Sequence, residues 1–242
     1  MQADLGGQSI AFTLQVLNES SVMLYLGGSI ENETADKVSY VTAALRDALA
    51  TQVIDIVPSY TSILITYDCS HISSLDFTHQ VRRVVSALRY QPQLEHPTKP
   101  IIDLPVYYGL DVALDAAELS ELHQLDFDEI VKLHTAEVYR VYAIGFSPGF
   151  AYLGNVDPRI ASPRKATPRL KVPAGSVGIA DTQTAIYPLS SPGGWQIIGR
   201  SPTKMIDWQM NPPTPVTVGD SVRFVAITKH EFLALGGSLD EL

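Results

Sequence analysis

The sequence predicts an α+β chain in two parts: a small N-terminal α+β sheet domain over 1–95, and a β-rich domain of barrel or sandwich type over 96–242. Three observations carry this. The first ninety residues alternate strand-like and helix-like periodicity in the order ββαββα. Residues 90–101, YQPQLEHPTKPI, hold three prolines and little periodicity, which marks a linker or boundary. From Val138 onward, short apolar runs recur between Gly- and Pro-rich turns, the pattern of an all-β unit.

In the first part, Ile10–Leu17 and Val22–Leu26 are apolar runs split by Asn18, Glu19 and Ser20, a hairpin signal. Ala35, Val38, Val41, Ala44, Leu45, Ala48 and Leu49 recur at helical spacing, so 33–50 reads as an amphipathic helix with Thr34 as its N-cap. Val53–Val57 and Ser62–Tyr67 read as strands turned by Pro58, Ser59 and Tyr60. Leu75, Val81, Val84, Val85 and Leu88 predict a second helix, and both helices are expected on one face of the sheet.

In the second part, Ile102–Tyr108 restarts as a strand. Asp111–Leu122 and Phe127–Leu133 have helical spacing, the latter with Asp126 as a cap. Val138–Ile144, Val177–Ala180, Trp195–Ile198 and Ser221–Ile227 are strand candidates.

The 242 residues carry a net charge of −9, which argues against a nucleic-acid partner for the whole surface. Cys69 is the only cysteine, so an intrachain disulfide and a thiolate zinc site are both excluded. The six histidines show no close metal-ligand spacing. The N-terminal residues lack the charged and apolar regions of a secretory signal, and no apolar run approaches bilayer length. The expectation is a cytoplasmic protein, with no metal and no membrane association.

Tyr142–Ser201 is the segment densest in Gly, Pro, Arg and aromatic residues, and loops so heavily specified usually shape a site. Two catalytic motifs appear there as text and fail as chemistry. Gly145-Phe146-Ser147-Pro148-Gly149 matches a nucleophile elbow, yet Pro148 has no N–H to donate to an oxyanion and no helix follows. Gly194–Ser201 spaces its glycines like a phosphate loop, but Trp-Gln-Ile-Ile in its middle favours a strand and Pro202 follows at once.

What survives is a basic cluster, Arg159, Arg164, Lys165, Arg169 and Lys171, in an otherwise acidic chain. Pro163-Arg164 and Pro168-Arg169 are stiff steps that can hold each guanidinium for a carboxylate or phosphoryl group. Val172–Gly178 is a small-residue loop in which Pro173, Gly175 and Ser176 offer backbone N–H groups and a hydroxyl. Ser190–Trp195 is similar: Ser191, Gly193 and Gly194 permit close backbone approach and Trp195 supplies an apolar wall. Gln183 and Tyr187, between these loops, can add hydrogen bonds. His134, near the end of a predicted helix, has the chemistry of an acid or base near neutrality. The same residues also fit a plainer reading, with solvated loops, ordinary turns and a structural histidine.

GFSPGFAYLG, PRKATPRLKVPAGSVGIADTQTAIYP and SPGGWQIIGRSP closely resemble the B-component family of prokaryotic 5-oxoprolinase, also described as allophanate hydrolase subunit 1 and as the kinase inhibitor KipI. Weaker likeness extends through VPSYTSILITYD at 57–68 and NPPTPVTVGDSVRF at 211–224. The resemblance implies a cyclophilin-like β-barrel after the N-terminal domain, related to half of the carboxyltransferase region of urea carboxylases. It implies the A and C components of 5-oxoprolinase as partners, and ATP-dependent opening of 5-oxo-L-proline to L-glutamate, with ATP used by the complex and no biotin or metal on this chain. By itself the chain is expected to be inactive.

The resemblance also points to residues. His134, Arg164 and Arg169 become the catalytic candidates. Phe150 and Tyr152, from the PGF-x-YLG run, join Pro173, Gly175, Ser176, Gln183, Tyr187, Ser191, Gly193, Gly194, Trp195 and Arg200 as candidates for binding substrate or anion. The chain departs from the family at 107–122, YYGLDVALDAAELSEL, where of a usual Gly-Pro-Asp-Leu turn only Asp115 remains, and mildly at Ser201, usually threonine. A KipI-type inhibitor of a sensor histidine kinase and a component related to urea carboxylase or allophanate hydrolase are alternative roles for the same fold.

Overall fold

The computed structural model describes residues 7–91 and 100–239. The chain divides into two compact units, Met1–Thr98 and Lys99–Leu242. The boundary expected at 95/96, and most of the proline-rich segment, lie outside the described residues.

The first unit is built on four antiparallel strands in the order β2-β3-β5-β4: β2 is Thr13–Asn18, β3 Ser21–Tyr25, β4 Val53–Ser59 and β5 Ser62–Tyr67. A short ribbon pairs β1, Gln8–Ser9, with β6, Arg89–Tyr90. Strict alternation along β3 and β5 buries Val22, Leu24, Ile63, Ile65 and Tyr67 on one face. Helix α1, Asn32–Ala48, brings Val38, Val41 and Leu45 to that core, and α2, Ser74–Ala87, brings Phe77, Val81 and Val85. Tyr67 stacks on Phe77 at 4.0 Å between ring centroids, and its hydroxyl donates to the Glu19 carbonyl at 2.6 Å.

Two local expectations are corrected here. Thr34 is not the cap of α1: the N-cap is Glu31, a turn earlier, and Thr34 is buried inside the helix against Gly27. Pro58 and Ser59 belong to β4, and the turn is Tyr60 with Thr61. Because β4 is an edge strand, the missing N–H of Pro58 breaks no ladder.

The second unit carries a seven-stranded sheet in the order β14-β11-β12-β9-β8-β15-β7. These are β7 Ile102–Val106, β8 Tyr139–Ile144, β9 Ala151–Gly154, β11 Ser176–Ala180, β12 Gln183–Ile186, β14 Gln196–Arg200 and β15 Ser221–Ala226. All neighbours are antiparallel except β15 and β7. Just past β7, Tyr107 exchanges two backbone hydrogen bonds of 2.8 Å with Arg200 on β14, which nearly closes the sheet into a barrel. A separate ribbon joins β10, Arg169–Val172, to β13, Ser191–Gly193. Helices α3, Ala116–His123, and α4, Phe127–Ala136, precede β8, and α5, Lys229–Ala234, follows β15.

Strands β8, β9, β11, β12 and β14 are buried along most of their length, whereas β7 and β15 alternate buried and exposed residues. On β11, Val177 and Ile179 enter one core with Val141, Leu153, Ile198 and Phe224. Ala180 enters a second core with Phe150, Val172, Tyr187, Trp195 and Ile197. Continuous apolar runs, rather than alternation, are what strands covered on both faces require. The GFSPG segment is the tight link from β8 to β9, with Phe146 at φ 68° and Gly149 at φ 83°. The rejection of an elbow there holds, since a strand and not a helix follows, and Gln196–Arg200 is likewise a strand. The helix expected from Asp111 begins only at Ala116. Strands β9, β10, β12 and β13 were not expected, being short and rich in Gly, Pro or polar residues.

Phe77→Ala removes the stacking partner of Tyr67 and leaves a cavity in the first core. It should destabilise the protein by about 3–5 kcal/mol in urea unfolding, whereas a loss under about 1 kcal/mol would show that this ring does not anchor the core.

Candidate functional site

The second apolar cluster of the barrel unit forms an aromatic floor. Phe150 meets Tyr187 and Trp195 edge-on, with ring centroids at 5.3 and 5.5 Å, and Tyr152 lies 4.9 Å from Phe150 and 6.0 Å from Trp195. Strand β9 supplies Tyr152, with Phe150 just before it; Tyr187 follows β12, and Trp195 stands between β13 and β14. The Arg164 guanidinium lies over the Trp195 ring, 5.8 Å from its centroid. Arg164 itself is exposed, while Trp195 is 5% exposed and Phe150 and Tyr187 2% each, so the cation caps the floor and faces solvent.

Burial pushes the Tyr187 phenol up to about 12, opposed by a hydrogen bond from the Trp195 backbone and by the charge of Arg164. Burial likewise raises Tyr152, and again Arg164 opposes it. Both phenols are therefore neutral hydrogen-bonding groups under one guanidinium. Gly193 packs on the Tyr187 ring, where a β-carbon would overlap the phenol oxygen, so glycine is required by space.

The loop that carries Arg164 is anchored, through the neighbouring Lys165 and Arg169, by a carboxylate from elsewhere in the chain. Asp115, at the N-cap position of α3, has a side chain 1% exposed. It accepts from Arg169 twice, at 2.6 and 2.9 Å, from Lys165 at 2.8 Å and from the Ile197 N–H at 2.6 Å. Burial raises this carboxyl, but the bonds from Arg169, Lys165 and Ile197 together outweigh it and hold its pKa below the ordinary value. Lys165 also pairs with Glu118, and its backbone N–H donates to the Gly194 carbonyl at 2.7 Å. The Pro-Arg loop, the Ser191–Trp195 segment and α3 are thus joined, with β10 and β13 pairing Arg169 to Gly193 and Val172 to Ser191.

Of the residues singled out by sequence, Phe150, Tyr152, Arg164, Arg169, Tyr187, Ser191, Gly193, Gly194 and Trp195 fall in this one region. Arg169 spends its fork on Asp115 instead of facing solvent as an anion holder. Two backbone donors of the 173–178 loop are used internally, Gly175 N–H to the Tyr187 carbonyl and Ser176 N–H to the Pro173 carbonyl, while the buried Ser176 hydroxyl has no partner among the described residues. Gly175 has φ 79° and abuts the Ser201 carbonyl, so it serves a tight turn. Arg200 is buried at the barrel seam and donates to the Ser238 carbonyl at 2.9 Å. Gln183 opens β12 opposite Gly154.

His134 lies in the barrel core, fully buried. One ring nitrogen is 2.8 Å from the Tyr108 hydroxyl, the other 2.9 Å from the Thr184 hydroxyl, and the ring stacks on Phe224. Burial pushes it down to about 3, so near neutrality it is an uncharged bridge between hydroxyls and does not titrate as an acid or base there. Sequence reasoning noted Asp115 only as the remnant of a family turn and did not single out Glu118. The visible signal was an Asp just before a helix, and nothing local showed that its partners lay fifty residues onward. Among the described residues, no three of His, Cys, Asp and Glu are grouped to hold a metal ion, and no helix is long and apolar enough to cross a membrane.

The carboxyltransferase domain, subdomain C and D, family matches residues 12–216, and the chain belongs to that family. It is 35% identical to the B component of 5-oxoprolinase from Bacillus subtilis over 93% of this chain and 97% of that one. A conserved uncharacterized protein of Pyrococcus horikoshii is 37% identical, with 91% of this chain and 100% of that one covered at a TM-score of 0.55. The urea carboxylase of Kluyveromyces lactis, 18% identical, shares the fold: 96% of this chain overlays 23% of that one at a TM-score of 0.71.

Since His134 is depressed below its unfolded value of roughly 6.5, protonation favours the unfolded chain. Its contribution to stability is complete above that value and declines as pH falls toward 3, by at most about 1.4 kcal/mol per pH unit. Urea unfolding from pH 7 to 4 should show His134→Gln losing stability less steeply than the parent; equal slopes would place the titration elsewhere.

Proposed function

We propose that this chain is the B component of a 5-oxoprolinase, acting with the A and C components to open 5-oxo-L-proline to L-glutamate, driven by ATP hydrolysis. The likeness to curated B-component chains over nearly the whole sequence supports the reading. The single observation that carries it at the level of chemistry is the Arg164 guanidinium held over Trp195. 5-Oxoproline is a small flat ring bearing one carboxylate. A guanidinium suits the carboxylate, and a partly open aromatic edge at Tyr152 suits the ring.

In this reading the chain binds and orients. Arg164 takes the carboxylate, while Tyr152, neutral and partly exposed, offers a hydrogen bond to the lactam over the buried Tyr187. Asp115 keeps the Pro-Arg loop in register with Trp195. Lactam opening in water is uphill, and activation of the carbonyl by phosphorylation of its oxygen is assigned to the assembled complex. The nearly closed seven-stranded sheet is read as a cyclophilin-like barrel, and the free, exposed thiol of Cys69 suits a reducing cytoplasm.

Mixing this protein with the A and C components should give ATP-dependent glutamate release from 5-oxoproline that disappears when any one of the three is omitted. Arg164→Ala should raise KM at least tenfold, about 1.4 kcal/mol of lost binding, with the complex still assembled by size. Turnover that does not need this chain would overturn the role, and an unchanged KM would overturn the assignment of Arg164.

A further inference from the structure

The cations near the aromatic floor differ in their partners. Arg159 forms a two-pronged pair with Asp157, Lys165 is bound by Asp115 and Glu118, and Arg169 is bound by Asp115 through both prongs. Lys171 is exposed on β10 and Arg164 is exposed over Trp195; neither pairs with a carboxylate among the described residues. So a run of five cations presents a single guanidinium at the floor. Two of its neighbours are neutralised from below by acids of α3 and its N-cap.

We propose that Asp115 and Glu118 set the charge specificity of this site, making it selective for a monoanionic carboxylate and poor for phosphate or a nucleoside triphosphate. The proposal rests on the function read above but concerns its selectivity. One fixed charge matches one carboxylate, whereas a phosphate dianion or a triphosphate would bring net negative charge beside the buried Asp115. A triphosphate is normally held by several backbone N–H groups of a Gly-rich loop and a lysine. Here the N–H of Gly175 and the N–H of Ser176 are bonded within the fold, Lys165 N–H is bonded to Gly194, and the Lys165 ammonium is engaged twice. These residues therefore do not fit ATP.

The same arrangement makes the specificity reversible by substitution. Asp115→Asn keeps the shape and one accepting oxygen, turns the other acceptor into a donor, and leaves Lys165 and Arg169 without their buried countercharge beside Arg164. Glu118→Gln, at a side chain 54% exposed, removes one of the two acids on Lys165 and leaves its bond to Asp115, with little risk to folding. Asp115 and Glu118 act here through the loop cations, as residues that tune the site rather than touch the substrate.

The test follows the indole N–H signal of Trp195 by NMR in the full-length protein, with exposed Trp208 as internal reference, during titration with 5-oxo-L-proline, inorganic phosphate, metal-free ATP and cyclopentanecarboxylate. The parent should respond to 5-oxoproline with an affinity at least tenfold above that for phosphate or ATP. Glu118→Gln should narrow that ratio severalfold, and Asp115→Asn should remove or invert it. Phosphate or ATP binding as tightly as the carboxylates in the parent would overturn the proposal. So would an unchanged ratio in Glu118→Gln, which decides the matter if Asp115→Asn does not fold. If cyclopentanecarboxylate binds as well as 5-oxoproline and both exceed phosphate, charge selectivity stands and the lactam reading fails. No response to any anion overturns both.

Discussion

The buried carboxylate of Asp115 is the constraint on which the rest of the site depends. It sits at the start of α3, almost wholly withdrawn from water, and accepts four hydrogen bonds from three residues on two other segments. A charge in that position is tolerable only when its lone pairs are filled by cations and N–H groups held in good geometry. The converse also holds. Lys165 and Arg169 come from a loop of prolines and small residues with no helix or long strand to rigidify it, and the carboxylate supplies the order. Removing one partner from such a cluster leaves the others uncompensated, typically at a cost of about 3–5 kcal/mol. The position of Arg164 over Trp195 is therefore inherited from an acid roughly fifty residues earlier in the chain.

The barrel makes this possible by being covered on both sides at β11, β12 and β14. One core fills its interior and contains His134, a neutral imidazole bonded to Tyr108 and Thr184. The other lies against the outer faces of β11, β12 and β14 and becomes the aromatic floor. Two of the titratable groups buried in this unit, Asp115 and His134, solve the same problem differently. Asp115 keeps its charge because cations reach it; among the described residues no acid reaches His134, and burial leaves the ring neutral. That contrast separates a group that organises a charged surface site from one that packs a core.

In the first unit, almost every element was legible in the sequence, because the sheet has one covered face and each helix one apolar stripe, so periodicities of two and 3.6 appear plainly. The misjudged details were local: where α1 is capped and whether Pro58 ends a strand on an edge. In the second unit, periodicity failed where strands are four residues long and buried on both sides, as in β9 and β12. The Gly, Pro and Arg density of Tyr142–Ser201 did mark the region that carries the site. It did not separate Arg164, which faces solvent, from Arg169, which faces Asp115.

By itself, then, the sequence determined the class of fold, the two-part division, the aromatic and Pro-Arg segments and the family to which they belong. These are local patterns, and each is written within a few dozen residues. Only the tertiary structure decided which cations remain available to a ligand and which histidine chemistry is possible. Both depend on partners distant in sequence, Asp115 with Lys165 and Arg169, His134 with Thr184, and a charge or a pKa belongs to the whole environment of a group rather than to the residue that carries it.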